Sequence, residues 1–223
     1  MGLNEKFFAS AAAGPPVPTA DLKLYLNASD TNSYSGTGST WYDLTANNND
    51  GTISGATWNS SGYFDFDGSN DSVNIGSSLT FNVDSSIAVW INPDSPNGNS
   101  SILSKWSNLG WMLNQQNSGN IEFFFYSGNS FKKVNCGIPS NGSWTQFVIT
   151  YDGSDLKGYI NDTLSATAST NLVPNNESTN VLLSGGPITG VSTNYFNGQI
   201  SKVRMYDAAL TSTEITALYN EGE

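Results

Sequence analysis

Acid–base and nucleophilic chemistry need particular side chains, and this sequence is short of them. It contains no histidine, which removes Ser-His-Asp and Cys-His catalysis and every histidine-ligated metal site. Its single cysteine, Cys136, excludes an internal disulfide. Set in the strand-like run Phe131 to Cys136, it reads as a small buried hydrophobe rather than a reactive thiol. The six glutamates are Glu5, Glu122, Glu177, Glu214, Glu221 and Glu223, and no two are placed to share one strand face. Retaining glycoside hydrolysis needs two carboxyls roughly 5 Å apart, one of them with a raised pKa, so the expectation is a protein that binds or builds rather than catalyses. Glu122, beside Phe123, reads either as a perturbed carboxylate or as a solvent-facing strand position. Aromatic residues, at 12% of the chain, offer a different chemistry. A sugar is held by an exposed ring that stacks on it and by polar side chains that bond its hydroxyls. Tyr34, Trp41, Trp106 and Trp111 lie near turn-rich sequence and are the candidate glycan-binding residues. Each has core packing as its alternative reading, because a tryptophan buries a large area.

The rest of the composition narrows the partners. The net charge is −11 with only eight Lys and Arg, and the only adjacent basic pair is Lys132-Lys133. A surface that tracks phosphates needs clustered cations, so nucleic acid is excluded as a partner, and an anionic membrane surface is disfavoured for the same reason. No apolar run approaches 18 residues, so no membrane insertion is expected. The segment Phe7 to Ala13 is short for a signal-peptide core, and Met1 to Lys6 carries no net positive charge. Residues 1–20 run from an Ala-rich stretch into Gly14-Pro15-Pro16-Val17-Pro18 and read as an extended arm or linker. Within it, Phe7 and Phe8 are candidate anchoring residues for a partner surface, or else part of an unstructured tail.

Residues 21–223 form one domain. Short β-type runs alternate with turn clusters: Leu22 to Leu26, Gly62 to Phe66, Ser72 to Ile75, Ile87 to Ile91, Ser101 to Trp106, Trp111 to Asn114, Ile121 to Tyr126, Trp144 to Tyr151 and Leu156 to Ile160. A spacing of roughly ten residues per strand is the signature of a β-sandwich or barrel. Only the end reads as helical. Thr211-Ser212-Thr213-Glu214 is a capping box, Ile215, Leu218 and Tyr219 then share one face, and Gly222 is the stop.

Four blocks in order carry a family resemblance over roughly 22–223. They are Phe64 to Asp71, Ile87 to Ile91, Trp144 to Asp162, and Tyr195 to Tyr206 followed by Ala209-Leu210-Thr211 and Glu214-Ile215. Together they resemble laminin G-like and concanavalin A-like jelly rolls, which implies an all-β fold of two antiparallel sheets packed face to face. The resemblance includes glucanases that carry a Glu-x-Asp-x-x-Glu strand, and that pattern is missing here. It also implies calcium held by loop oxygens, for which Asp67, Asn70 and Asp71 match the ligand loop of pentraxin-like members. The second acidic loop has no counterpart, since Leu183 to Ile188 offers no carboxylate, and Asp43 would have to help. The reading beside calcium is a turn closed by Asx hydrogen bonds. Secreted laminin-type modules often carry disulfides, so their absence points to cytoplasmic synthesis. A narrower likeness adds a setting. Leu24 to Ala28, Ser33 to Leu44 and Asn48 to Ile53 resemble the opening of such domains in tailed-phage, especially marine-phage, structural proteins. It implies a non-catalytic virion protein made in the host cytoplasm, a capsid decoration or tail or fibre appendage, contacting other virion proteins through the arm and forming homo-oligomers. The alternative is a lectin module for host-surface glycans, with or without calcium.

Overall fold

Runs rich in β-branched and aromatic residues, cut by Gly, Asn, Asp and Ser turns, become strands. The structure, a computed structural model, describes residues 15–94, 96, 98–107, 109–185 and 194–223; the proposed anchors Phe7 and Phe8 lie outside the described residues. The first six strands are β1 (Leu22–Asn27), β2 (Thr40–Trp41), β3 (Gly51–Ser54), β4 (Thr57–Asn59), β5 (Tyr63–Asp67) and β6 (Ser72–Gly76). The middle of the chain forms β7 (Ser85–Pro93), β8 (Ser100–Lys105), β9 (Trp111–Gln115), β10 (Ile121–Ser127) and β11 (Ser130–Gly137). Then come β12 (Thr145–Tyr151), β13 (Asp155–Ile160), β14 (Thr163–Ser169), β15 (Val181–Leu183), β16 (Asn194–Tyr195), β17 (Asn197–Tyr206) and the helix α1 (Ser212–Glu221).

Two sheets result. Sheet A runs β14-β13-β12-β7-β17-β5-β4, with β1 beside β17; sheet B runs β11-β10-β9-β8-β15-β6-β3-β2, with β16 beside β8. The expected all-β jelly-roll sandwich with one C-terminal helix is what the chain forms. Between the sheets lies one large core. It takes Leu24 and Leu26 of β1, Phe64 and Phe66 of β5, Ile87, Val89 and Ile91 of β7, Leu113 of β9, and Phe123 and Phe125 of β10. Their i, i+2 spacing is what a pleated strand needs to send alternate side chains to one face.

β7 and β12 are buried on both faces, which a two-layer sandwich alone does not explain. The cause is α1. Its Ile215 and Leu218, with Leu210, pack on Ala88, Val148, Tyr159 and Tyr206 of sheet A's outer face. Thr211 caps the helix with the expected reciprocal bonds to Glu214, and Gly222 ends it at φ 83°. The described end of the arm joins this layer: Val17 packs against the same cluster and the Tyr206 hydroxyl donates to Pro18 O at 3.2 Å. Val17 and Pro18 are therefore docked on the domain, although the proline-rich stretch reads as a linker. The buried thiol of Cys136 fits the packing reading, since burial pushes it well above its ordinary value. A Cβ on the facing Gly158 would lie 2.7 Å from its sulfur, so the close approach of the two sheets there depends on glycine. No described helix is long and apolar enough to cross a membrane.

Candidate functional site

Among the described residues no helix lies on the outer face of sheet B, and the register lays out what that face carries. Leu103, Leu113, Phe123 and Val134 stand opposite one another and point into the core. The next row, Ser104, Met112, Phe124 and Lys133, must point outward. So must Ser101, Asn114, Glu122 and Asn135. Just past β8, Trp106 meets Phe124 edge-on at 5.3 Å and Tyr126 at 5.5 Å, and Tyr126 in turn contacts Phe131 at 5.6 Å. Phe131 is 54% exposed, so the aromatic strip opens to solvent at the β11 edge.

Beside the strip sits the polar part. Glu122, 7% exposed, is paired with the exposed Lys133 at 2.8 Å. Asn114 Oδ1, Ser101 Oγ and Trp106 Nε1 are buried without a hydrogen-bond partner. Buried polar groups are ordinarily satisfied, so these atoms are unspent bonding capacity, lying beside the strip in a part of the face where Ser101, Ser104 and Met112 are themselves buried. Rings for stacking and amide, hydroxyl and carboxylate groups for hydroxyls are what a sugar surface needs.

The position of Trp106 is set from below. The Glu177 carboxylate accepts hydrogen bonds from Ser107 N and, at 3.0 Å, from Leu109 N. Asn175 Nδ2 donates to Leu109 O at 3.1 Å, while Asn175 N donates to Tyr126 O at 2.7 Å. One loop thus clamps the turn that carries Trp106 to the strand that carries Tyr126. Lys105 completes the support: its buried ammonium donates to Ser77 O at 2.6 Å and Leu79 O at 2.7 Å, and burial lowers its pKa. Gly110 closes the turn, and a Cβ there would sit 1.8 Å from Lys105 O. Backbone cannot yield that far, so Gly110→Ala is expected to lower stability by about 2 kcal/mol or more. A urea titration measures it, and an unchanged midpoint would show that the turn is soft.

The sequence-derived glycan residues divide sharply. Trp41 and Trp111 are fully buried and Tyr34 is 6% exposed, so none of the three presents a ring face. Tyr34 and Trp41 pack on Phe64 at 4.9 and 4.6 Å, and Trp111 packs on Phe81 and Phe123. Of the four, Trp106 alone lies at the outer face. Phe124, Tyr126 and Phe131 were not among the candidates. The signal was present in Phe123-Phe124-Phe125-Tyr126, where strand alternation sends the second and fourth rings away from the core.

Among the described residues, the proposed calcium residues are engaged in hydrogen bonds that close their own turn. Asp67 Oδ1 accepts from Ser69 N at 2.8 Å and from Asn70 N at 3.4 Å, and Asp71 Oδ2 accepts from Asp67 N at 2.9 Å. Asp71 is 6% exposed and its other oxygen faces Gly55, where a Cβ would come within 2.0 Å of it. Burial, with the neighbouring Asp67 charge, raises the Asp71 carboxyl against the opposing hydrogen bond from Asp67 N. Asp43 is spent as well, on Tyr25 N, Thr45 N, Thr45 Oγ1 and Asn49 N. Among the described residues no three His, Cys, Asp or Glu side chains converge on a common point. Calcium and EDTA are therefore expected to leave the melting temperature unchanged. A calcium-dependent rise in a thermal-shift assay would overturn that.

Comparison with known proteins agrees with this architecture. A family model described as the concanavalin A-like lectin/glucanases superfamily matches residues 66–216. No curated protein matches. Among solved structures, the botulinum neurotoxin serotype D binding domain is 18% identical with a TM-score of 0.68; the match covers 91% of this chain and 52% of that one. Domain 4 of an extracellular arabinanase from Geobacillus stearothermophilus, in complex with arabinotriose, is also 18% identical with a TM-score of 0.68, over 89% of this chain and 98% of that one. A Trypanosoma rangeli sialidase mutant displaying trans-sialidase activity reaches a TM-score of 0.71 at 18% identity, over 93% of this chain and 34% of that one. The chain thus spans about half of the toxin domain, 52%, and about a third of the sialidase, 34%. At these identities the likeness is one of fold.

Proposed function

We propose, for a chain that belongs to the concanavalin A-like lectin/glucanase superfamily, that it is a non-catalytic carbohydrate-binding module whose site is the outer face of sheet B. The observation that carries this reading is the strip Trp106, Phe124, Tyr126 and Phe131 beside the unpartnered Asn114 and Ser101. A neutral glycan fits best. Glu122 is the only carboxylate in the strands of sheet B and it is paired with Lys133, so the face presents almost no net charge. Hydrolysis needs two carboxyls flanking one bond, and the described strands of this sheet offer Glu122 alone. The arabinotriose on the arabinanase domain is a ligand of this neutral class.

Binding is tested by calorimetry with neutral oligosaccharides, arabinotriose among them, and with a sialylated oligosaccharide as the charged contrast. Affinity for a neutral glycan is expected to fall about tenfold in Trp106→Ala and in Phe124→Ala, the loss of one stacking contact. If no neutral glycan binds, or if both variants bind as the parent does, the site is elsewhere or the function is not lectin-like.

The setting is a second inference. The likeness of residues 24–53 to the opening of tailed-phage structural proteins supports a virion location, as capsid decoration or tail or fibre appendage. Residues 1–20 would tether the module, with Phe7 and Phe8 as anchors. Peptides of this chain are then expected by mass spectrometry in purified particles, and their absence from such particles would remove the virion reading while leaving the glycan site untouched.

A further inference from the structure

Sheet A carries an aromatic and polar patch of its own, on the part of its outer face that lies past α1. Phe64, Phe66, Ile91, Phe147 and Ile200 point into the core, so the residues that alternate with them point outward. The register then lays one row across the sheet. Asp65 of β5 stands opposite Gln199 of β17, and Gln199 stands opposite Asn92 of β7. Trp144, just before β12, follows beside Asn92, because Thr145 stands opposite Ile91. Tyr63, two residues before Asp65 on the same side, reaches over the row to Trp144, with 5.7 Å between ring centres. Tyr63, Asp65, Asn92, Trp144 and Gln199 are each half-buried, so each keeps an accessible side. The border with the helix is Trp90, which stacks on Tyr219 of α1 at 5.7 Å with 13° between the planes.

The bonding left unmet in this patch says what would complete it. Asn92 Nδ2 donates to Gln199 Oε1 at 2.7 Å, and Asn92 Oδ1 is left buried without a partner. Gln146, two residues past Trp144 on the same side, is 1% exposed, and its Oε1 also lacks a partner. Buried amide oxygens are ordinarily satisfied, and what is missing at both is a donor. Asp65 adds charge, since no Lys or Arg pairs with it among the described residues. Asp67 and Asp94, both exposed, lie further along the same strands, beside Asn197. Lys202, opposite Trp90, does not offset them: it is 6% exposed and gives its ammonium to Gly222 O at 2.9 Å. The patch is therefore negative, whereas Glu122 on sheet B is neutralised by Lys133. An ammonium group complements it on every count. It brings three N–H donors and a positive charge, and aromatic ring faces attract it.

We infer that this patch of sheet A binds a sugar that carries a free amino group, at a site separate from the neutral-glycan site on sheet B. Asp65 and the amide oxygens of Asn92 and Gln146 take the ammonium, while Tyr63 and Trp144 stack on the sugar ring.

The test is calorimetry of the full chain with a glucosamine oligosaccharide, its N-acetylated counterpart and an aliphatic diamine. The glucosamine oligosaccharide is expected to bind at a single site per chain, more weakly as salt rises. The acetylated form, without the positive charge, and the diamine, without the ring, should each bind about tenfold more weakly or worse. Trp144→Ala and Asp65→Asn should each raise the dissociation constant about tenfold. Asp65→Asn keeps the size of the side chain, so its loss of affinity should come with an unchanged melting curve. Asp84→Asn, an exposed carboxylate at the other end of β7, controls for the general attraction of a cation to a chain of net charge −11, and it should bind as the parent does. Absence of binding, equal affinity for the acetylated form or the diamine, or parent affinity in both Trp144→Ala and Asp65→Asn would overturn the inference. Titrations with neutral glycans report the sheet B site separately, so the failure of either site is distinguishable from that of the other.

Discussion

Glu221→Gln is expected to cost the folded protein about 3 kcal/mol, because it leaves the buried Arg204 guanidinium without the partly exposed carboxylate that pairs it. Arg204 reaches the outer side of sheet A with its side chain only 4% exposed. It is held by two hydrogen bonds to Glu221, at 2.6 and 2.8 Å, and its guanidinium lies 3.8 Å from the centre of the Tyr25 ring. Glu221 is the last residue of α1, and Lys202 donates to Gly222 O at 2.9 Å just beyond it. The helix has no basic residue in its own last turn, so the sheet supplies the cations that its negative end favours. The pair therefore does two things: it neutralises a buried guanidinium, and it fastens the helix that covers β7 and β12. With the carboxylate gone, Arg204 keeps its charge and loses its partner.

The same pair fixes an acid limit. Burial alone would raise the Glu221 carboxyl, but the Arg204 hydrogen bonds, the Arg204 and Lys202 charges and the Tyr25 hydroxyl outweigh it and hold the group below its ordinary 4.5. A carboxyl depressed on folding stabilises fully above its unfolded value and loses that contribution as pH falls through its folded value. Stability should thus be insensitive to this group above about pH 5 and decline below about pH 4.5. Glu221→Gln should flatten that part of the profile, which urea titrations at several pH values would measure. A decline of equal steepness in the variant would assign the acid sensitivity to other carboxyls.

How far the sequence carried this structure depends on the range of the forces involved. The capping box at Thr211 and Glu214 and the strands with clean alternation, such as Tyr63 to Phe66, were legible because their determinants lie within a few residues. The docking of Val17 and Pro18 was not, because Tyr206 and the α1 face that receive them lie nearly two hundred residues away. Register decided the candidate site in the same way. Trp106 and Trp111 are five residues apart and equally close to turns, yet Trp111 stands opposite Lys105 and Phe125 in an inward row while Trp106 lies past the end of β8. Nothing local separates them. Asp67 and Asp71 have the residue types of a cation loop, but Gly55, supplied by another turn, blocks one side of the Asp71 carboxylate. Side-chain type was readable, and what stood opposite each side chain was not.

That distinction gives the other large effect. Trp111→Ala is expected to destabilise the protein by about 3–5 kcal/mol, the cost of removing a large aromatic from a closed core. Trp111 is fully buried between Phe81 and Phe123, at 6.1 and 6.3 Å, and shares a row with the buried Phe125. Its indole N–H has no hydrogen-bond partner, so its contribution is packing, and the cavity left by alanine would lie where the two sheets face each other. Trp106→Ala removes a ring of the same size from the edge of sheet B, where it is half-buried and solvent can fill part of the space. Its stability cost should stay near 1 kcal/mol, about one lost aromatic contact, while glycan affinity falls. The two substitutions delete the same side chain five residues apart, so comparing them separates packing from recognition. Equal losses of stability would place Trp106 in the core in energetic terms and remove the aromatic platform on which the lectin reading depends.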